Sequence, residues 1–179
     1  MNVFDLAVAE VLETEGLFSN DASDSGGKTR YGITKGVANA HGYNADMREL
    51  PKDFAINIYK KAYWDKLRCD DIVRISYPLA RELFDSSVNV GVGRVATWLQ
   101  RSLNVLNNRE EFYQDIVVDG GIGERTLRAL SSYMKKRRHE GGIVLIRLLN
   151  ALQGEHYVSL AERREKDERF VYGWALKRL

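Results

Sequence analysis

The sequence predicts a mainly α fold with a small β-hairpin region near its start and a helical C-terminal lobe. Three observations carry that expectation. Apolar residues recur at helical spacing through most of the chain, one stretch interrupts that period with glycine and small polar residues, and strand-like alternation is scarce. With 179 residues, 44% of them apolar, the chain suffices for one compact domain or two small lobes and is too short for two large domains. Its two prolines, Pro51 and Pro78, and the absence of low-complexity runs mark no flexible linker.

The elements follow in order. From Val3 to Thr14 the stripe Phe4, Ala7, Val8, Val11 and Leu12 predicts a helix that stops near Glu15. Asn20, Asp21, Asp24, Ser25, Gly26 and Gly27 are turn formers with little to bury, so the chain reverses there in a short hairpin. Thr34 suits the cap of a short helix ending at Gly42, and Pro51 the first turn of a longer one running to about Leu67. On that longer helix Phe54, Ile58, Ala62 and Trp64 point one way, with Lys60, Lys61 and Lys66 in water. Pro78 opens a helix to about Asn89 that buries Leu79, Leu83 and Phe84, and Gly91 to Gly93 breaks it.

A further helix from Arg94 to Leu106 buries Val95, Leu99 and Leu103. The run Gly91-Val92-Gly93-Arg94-Val95-Ala96 looks like part of a dinucleotide fingerprint, but it follows a helix pattern and so lacks the strand that such a phosphate cradle requires. Asp119 to Gly123 makes a tight turn before an amphipathic helix from Glu124 to about Arg137 that carries Leu127, Leu130 and Met134. The longest helix is expected from Ile143 to about Arg164, with Val144, Leu145, Leu148, Leu149, Leu152 and Tyr157 inward. Phe170, Tyr172, Trp174 and Leu176 form an apolar tail that is expected to pack back on the body. A lobe junction near Gly91 divides the chain into residues 1–90 and 91–179.

The chemistry concentrates where the first helix ends. A carboxyl at a helix C-terminus meets the negative end of the macrodipole, and partial burial adds a desolvation cost, so both effects raise its proton affinity. Glu15 in that position can stay protonated near neutrality and act as a general acid. Asp24 follows it by nine positions and Thr29 follows Asp24 by five, so one hairpin can bring all three side chains to a single cleft. In glycoside hydrolysis one carboxylic acid protonates the leaving oxygen, while a second carboxylate, or a water held by it and a hydroxyl, deals with the anomeric carbon. Glu15, Asp24 and Thr29 supply those groups. Tyr59, Tyr63 and Trp64 include at most one platform for stacking on a sugar face, the rest suiting the core.

The stretch Glu15-Gly16-Leu17-Phe18-Ser19-Asn20, followed by Asp24-Ser25-Gly26-Gly27-Lys28-Thr29-Arg30-Tyr31-Gly32-Ile33-Thr34, resembles the signature of the N-acetylmuramidases of glycoside hydrolase family 108. Leu17 and Phe18 stand where that family usually has glycine and tyrosine, and the acid is in place. Ile58 to Trp64 and Leu83 to Gly91 are similar to the family's middle motifs, and Trp98 to Leu103 and Val118 to Leu130 to the peptidoglycan-binding half that follows its catalytic half. The resemblance spans nearly the whole chain. It implies a lysozyme-like fold in which residues 1–90 are catalytic and residues 91–179 bind peptidoglycan. It also implies Glu15 as the catalytic acid, with Asp24 and Thr29 completing a triad similar to that of phage-type lysozymes, whose second gap is one residue longer. Asn20, Tyr31, Tyr63 and Asn89 are the candidate sugar contacts.

The formal net charge is +2, with basic clusters at Lys135-Lys136-Arg137-Arg138, Arg163-Arg164 and Lys177-Arg178. They suit either solvated helix ends or an anionic partner such as cell wall. Aromatic residues are not interleaved with them as in a nucleic-acid reader, so no nucleic-acid partner is expected. The single cysteine, Cys69, excludes an internal disulfide, and the three scattered histidines, His41, His139 and His156, lack ligand spacing, so neither metal nor cofactor is expected. Asp5 and Glu10 interrupt the first apolar stretch and no run nears the ~18 residues of a spanning helix, so neither a leader nor membrane insertion is expected.

The function these features imply is a peptidoglycan hydrolase of the endolysin type, an N-acetylmuramidase. It would be made in the cytoplasm of a phage-infected bacterium, act on the periplasmic wall after release, either through a holin-like pore or after loss of a membrane anchor, and work as a monomer on glycan strands. A lytic transglycosylase shares the acid but adds no water. A noncatalytic wall-binding or secretion-accessory protein would use the region from Asp119 to Leu130 without turnover.

Overall fold

The computed structural model describes residues 2–15, 18–19 and 29–179, with the backbone alone for 14, 15, 18 and 19. The chain forms two compact units, Met1–Asp65 and Lys66–Leu179.

The first unit opens with α1 (Val3–Glu15). Its start is closed reciprocally, since the Asn2 side chain accepts from the Asp5 amide at 2.8 Å while the Asp5 carboxylate accepts from the Asn2 amide at 3.0 Å. Phe4, Ala7, Val8 and Val11 are buried, which is the expected stripe. A three-stranded antiparallel sheet follows, of β1 (Phe18–Ser19), β2 (Thr29–Arg30) and β3 (Ile33–Thr34), with β2 in the centre. Arg30 pairs with Ile33 across a two-residue turn in which Tyr31 and Gly32 both have positive φ, 53° and 72°. Two left-handed residues match the twist of a tight hairpin, and Gly32 meets the demand without strain. The Tyr59 hydroxyl donates to the Tyr31 carbonyl at 2.7 Å and anchors this turn.

Thr34 then caps α2 (Lys35–Ala40), its side chain accepting from the Val37 amide at 3.3 Å. A single 3₁₀ turn, Met47–Glu49, which the sequence did not signal, precedes α3 (Lys52–Tyr59). The helix expected to reach Leu67 instead widens into a π turn at Lys60–Trp64, where the Asp65 amide reaches the Lys60 carbonyl at 2.9 Å. The extra residue in this turn swings Trp64 toward the buried side that carries Tyr59. Trp64 is 0% exposed and meets the Phe4 ring edge to face, with centroids 5.3 Å apart, which ties the end of this segment to α1.

The second unit is built from α4 (Cys69–Val73), α5 (Tyr77–Val90), α6 (Val92–Leu106), α7 (Glu124–Arg163) and α8 (Glu168–Arg178). The short α4 was not expected from periodicity. Arg68 precedes it in a left-handed conformation and holds Asp71 at 2.6 Å and Glu124 at 2.7 Å, joining two distant segments. Ser76 caps α5, with Pro78 in the first turn, and Gly91 at φ 91° both ends α5 and begins α6. Leu79, Leu83, Phe84, Val95, Leu99 and Leu103 are fully buried, as their spacing requires.

Between α6 and α7 the backbone is held by two amides. Asn104 donates to the Ile116 carbonyl and accepts from the Ile116 amide, at 2.8 and 2.9 Å. Gln100, 1% exposed, donates to Asp119 and to the Gly121 carbonyl at 2.8 Å each and accepts from the Gly120 amide at 2.9 Å. The glycine turn at 119–123 is therefore a satisfied structural network.

The two expected C-terminal helices are continuous except at Arg138, whose φ of 54° and ψ of −141° kink α7. Gly141 makes this kink possible, because a Cβ there would lie 2.7 Å from the Arg137 Cβ and 3.0 Å from the Tyr133 ring. Past the kink, Leu145, Leu149, Gln153, Tyr157 and Ala161 form a buried stripe at four-residue spacing. Val144, expected inward, lies one position off this stripe and is exposed. The apolar tail is also corrected in part. On α8, Phe170 and Trp174 share a face and stack at 5.8 Å, with Trp174 5.4 Å from Tyr157, whereas Tyr172 and Leu176 lie on the opposite face, 79% and 72% exposed. Arg178 reaches the Asp85 carboxylate at 2.7 Å and fixes the far end of α8.

Candidate functional site

In the first unit Glu15 is the last residue of α1, and no basic residue occupies that last turn. Phe18, which pairs with Arg30, follows Glu15 by three positions, so the Glu15 backbone lies within about 11 Å of the start of the sheet. Thr29 sits on the central strand, opposite Ser19 on one side and Thr34 on the other. Cross-strand partners share a face, so Thr29 and Thr34 lie on one side of the sheet and Ile33, buried at 1% exposure, on the other. The Thr29 side chain is thus half-buried on the face away from the core. Asp24 and Asn20 lie outside the described residues, as does the Glu15 side chain.

Tyr31 is half-buried, with the Arg30 guanidinium 5.2 Å from its ring centroid and its carbonyl taken by Tyr59. Of the three aromatics at the end of this unit, Tyr59 and Trp64 are fully buried, and Tyr63, half-buried and 5.7 Å from Tyr59, keeps part of its ring accessible. Glu15, Thr29, Tyr31 and Tyr63 therefore belong to the first unit.

Asn89 belongs to the second unit, on α5. Its side-chain oxygen accepts from the Tyr157 hydroxyl at 2.9 Å, Tyr157 accepts from Gln153 at 2.6 Å, and Gln153 accepts from Ser86 at 2.8 Å. Burial pushes the Tyr157 phenol up, which keeps it a donor to Asn89. Asn89 also borders a cavity of about 520 Å³ whose wall includes Arg94, His156, Arg163, Arg164 and Trp174. Sequence reasoning noticed Arg163-Arg164 as a basic pair, His156 as isolated and Trp174 as part of the tail. Their seven-residue spacing, about two turns of α7, was the signal that could have placed His156 and Arg163 on one face of the helix.

Within this cavity Arg94 Nη1 stands 3.0 Å from His156 Nε2. Because arginine only donates, the imidazole must accept and is neutral in this contact. Burial first, then the Arg94 and Arg163 charges, hold the imidazole below its ordinary value of 6.5. An Arg94→Met substitution is expected to move the His156 titration to higher pH by NMR, and an unchanged titration would show that the contact is not kept in solution.

Among the described residues no group of His, Cys, Asp or Glu is arranged to hold a metal ion, and no helix is long and apolar enough to cross a membrane. The basic run on α7 is exposed, with Arg137 and Lys136 lying over the Phe112 ring at 5.0 and 5.8 Å.

Comparison with known proteins also divides the chain in two, but at a later position. Residues 8–91 match the family described as glycosyl hydrolase 108, and residues 94–179 match a predicted peptidoglycan domain. Among solved structures, the chain is similar to Brucella abortus SagA at 22% identity and a TM-score of 0.64, over 96% of this chain and 95% of that one. That likeness speaks to the fold, which is mainly α and lysozyme-like. No curated protein matches the chain. The family matches change over between residues 91 and 94, while the compact units divide after Asp65 because α5 packs against α4, α6 and α7. A glycosidase segment joined to a peptidoglycan segment supports a peptidoglycan hydrolase, with the glycoside hydrolase 108 match confined to residues 8–91.

Proposed function

We propose that this chain is an N-acetylmuramidase of the endolysin type, hydrolysing the bond between N-acetylmuramic acid and N-acetylglucosamine in peptidoglycan. The observation that carries this reading is the position of Glu15 at the closing residue of α1, three residues ahead of a sheet with Thr29 on its central strand. A carboxyl there is disfavoured as an anion by the helix dipole, which suits a proton donor. Glu15 gives its proton to the glycosidic oxygen as the bond to the anomeric carbon breaks. Asp24 stabilises the positive charge that develops on that carbon and, with Thr29, holds the water that adds to it. The water's oxygen bonds to the anomeric carbon, and its proton passes to a carboxylate.

Residues 1–90 carry the reaction and residues 91–179 hold the wall. Asn20, Tyr31 and Tyr63 contact sugars, Tyr63 by stacking, and Asn89 offers an amide to an N-acetyl group. No cofactor enters these steps. The protein is a monomer made in the cytoplasm of a phage-infected host and acts on the periplasmic wall after release.

Purified sacculi digested by the protein and reduced with borohydride test the bond assignment by mass spectrometry. Muramitol ends are expected. Glucosaminitol ends would overturn the bond assignment, and anhydro-muramic ends would mark a lytic transglycosylase instead.

A further inference from the structure

The cavity bordered by Asn89 has a chemistry that the hydrolytic reading leaves unused. Three guanidinium groups, Arg94, Arg163 and Arg164, converge on its wall with Tyr157, Trp174 and the aliphatic Val90 and Leu160, and the wall includes no carboxylate. Arg163 gives its Nε to the Ser159 carbonyl at 2.8 Å, and Arg94 contacts the Val90 carbonyl and His156. Neither has an acidic partner among the described residues. Arg164 has only a loose one, Asp167 at 3.7 Å, and the nearby Glu155 is engaged by Ser159 at 2.6 Å. Two neighbouring cations without a counter-ion, on elements fixed by the buried Gln153 and Tyr157 network, leave an electrostatic demand that one anionic ligand can meet.

The remaining wall narrows the class of anion. A bare inorganic anion has no use for an indole beside the cations, and a neutral sugar has no use for three guanidinium groups. A carboxylate at the end of a short amide-linked chain uses both, since guanidinium forks pair with its two oxygens while the indole covers its backbone. A volume of about 520 Å³ lies within the range of about 300–1,000 Å³ typical of small-ligand sites.

We propose that this cavity binds the carboxylate-bearing peptide stem of peptidoglycan, with Arg94 and Arg163 holding the carboxylate and Trp174 flanking the peptide. The proposal rests on the reading of the chain as a peptidoglycan hydrolase, and it gives the C-terminal region a recognition element that reads the peptide rather than the glycan. The wall would then be held by its stems while its glycan strand is cut.

Titration calorimetry on the full chain tests it with three probes: a synthetic stem tetrapeptide with free carboxylates, the same peptide with its carboxylates amidated, and inorganic phosphate. The free-acid peptide is expected to bind. Amidation, or the paired substitution Arg94→Gln with Arg163→Gln, weakens binding by about tenfold or more, the loss expected when charge-assisted hydrogen bonds are removed. Equal binding of the two peptides, an undiminished paired variant with wild-type melting temperature, or phosphate binding as tightly as the peptide would each overturn the proposal. Because the amidation comparison uses the wild-type chain, the test does not depend on the variant's folding. Co-sedimentation with sacculi at low temperature separates the two readings. Sacculi bound without peptide binding would sink the stem site alone, and binding to neither would sink the underlying peptidoglycan reading.

Discussion

Glu15→Gln is expected to lower the rate of wall hydrolysis by about 10²–10⁴-fold, the usual contribution of a positioned general acid. Glutamine keeps the shape and polarity of the side chain at the end of α1 but has no proton to give the leaving oxygen. The fold should be unaffected, because a neutral amide at a helix C-terminus removes an unfavourable charge from the negative end of the dipole. Turbidity loss of outer-membrane-permeabilised Gram-negative cells reads the rate, and thermal unfolding reads the fold. A variant that retains most of its activity would refute the assignment. A variant that loses activity only in proportion to a lowered melting temperature would make Glu15 a structural residue.

The second large effect concerns Trp64. Truncation to alanine removes a fully buried indole and its edge-to-face contact with Phe4, and such substitutions cost about 3–5 kcal/mol. That is a large share of the roughly 5–15 kcal/mol that holds a typical domain folded. Phe4 lies on α1, so the same change loosens the helix that ends at Glu15, and activity is expected to fall with stability. Denaturant unfolding of the purified variant measures the loss. A destabilisation below about 1 kcal/mol would mean that the π turn does not anchor α1 as described.

Trp64 also shows what the sequence could and could not disclose. Its burial was expected from helical spacing, but the π turn that delivers it was not, because a one-residue widening leaves no compositional mark. Helix starts were legible where one residue marks them, as with Thr34, whose side chain caps α2, and Pro78 in the first turn of α5. Positive-φ geometry at Tyr31, Arg68 and Arg138 was not, since these residues adopt it only where tertiary contacts require it. The tail was read as uniformly apolar because its alternate residues fit an expectation of burial, whereas helical α8 sorts Phe170 and Trp174 from Tyr172 and Leu176. Glu15 at the end of α1 was legible in full, since an interrupted apolar stripe and a glycine-rich continuation both point to one residue. The cavity of the second unit was not. It gathers Asn89, Arg94, Arg163 and Trp174 from four helices, and no local pattern announces that convergence.

The role assigned to Glu15 is that of a proton donor, and a substrate that needs no proton tests it most directly. A muramic-acid-terminated oligosaccharide carrying dinitrophenol at its anomeric carbon releases an anion stable enough to leave unassisted. Measured side by side on this substrate and on natural glycan, the Glu15→Gln variant should lose about 100-fold or more on the glycan and less than about tenfold on the dinitrophenyl compound. An equal loss on both substrates would show that Glu15 does something other than protonate the leaving oxygen.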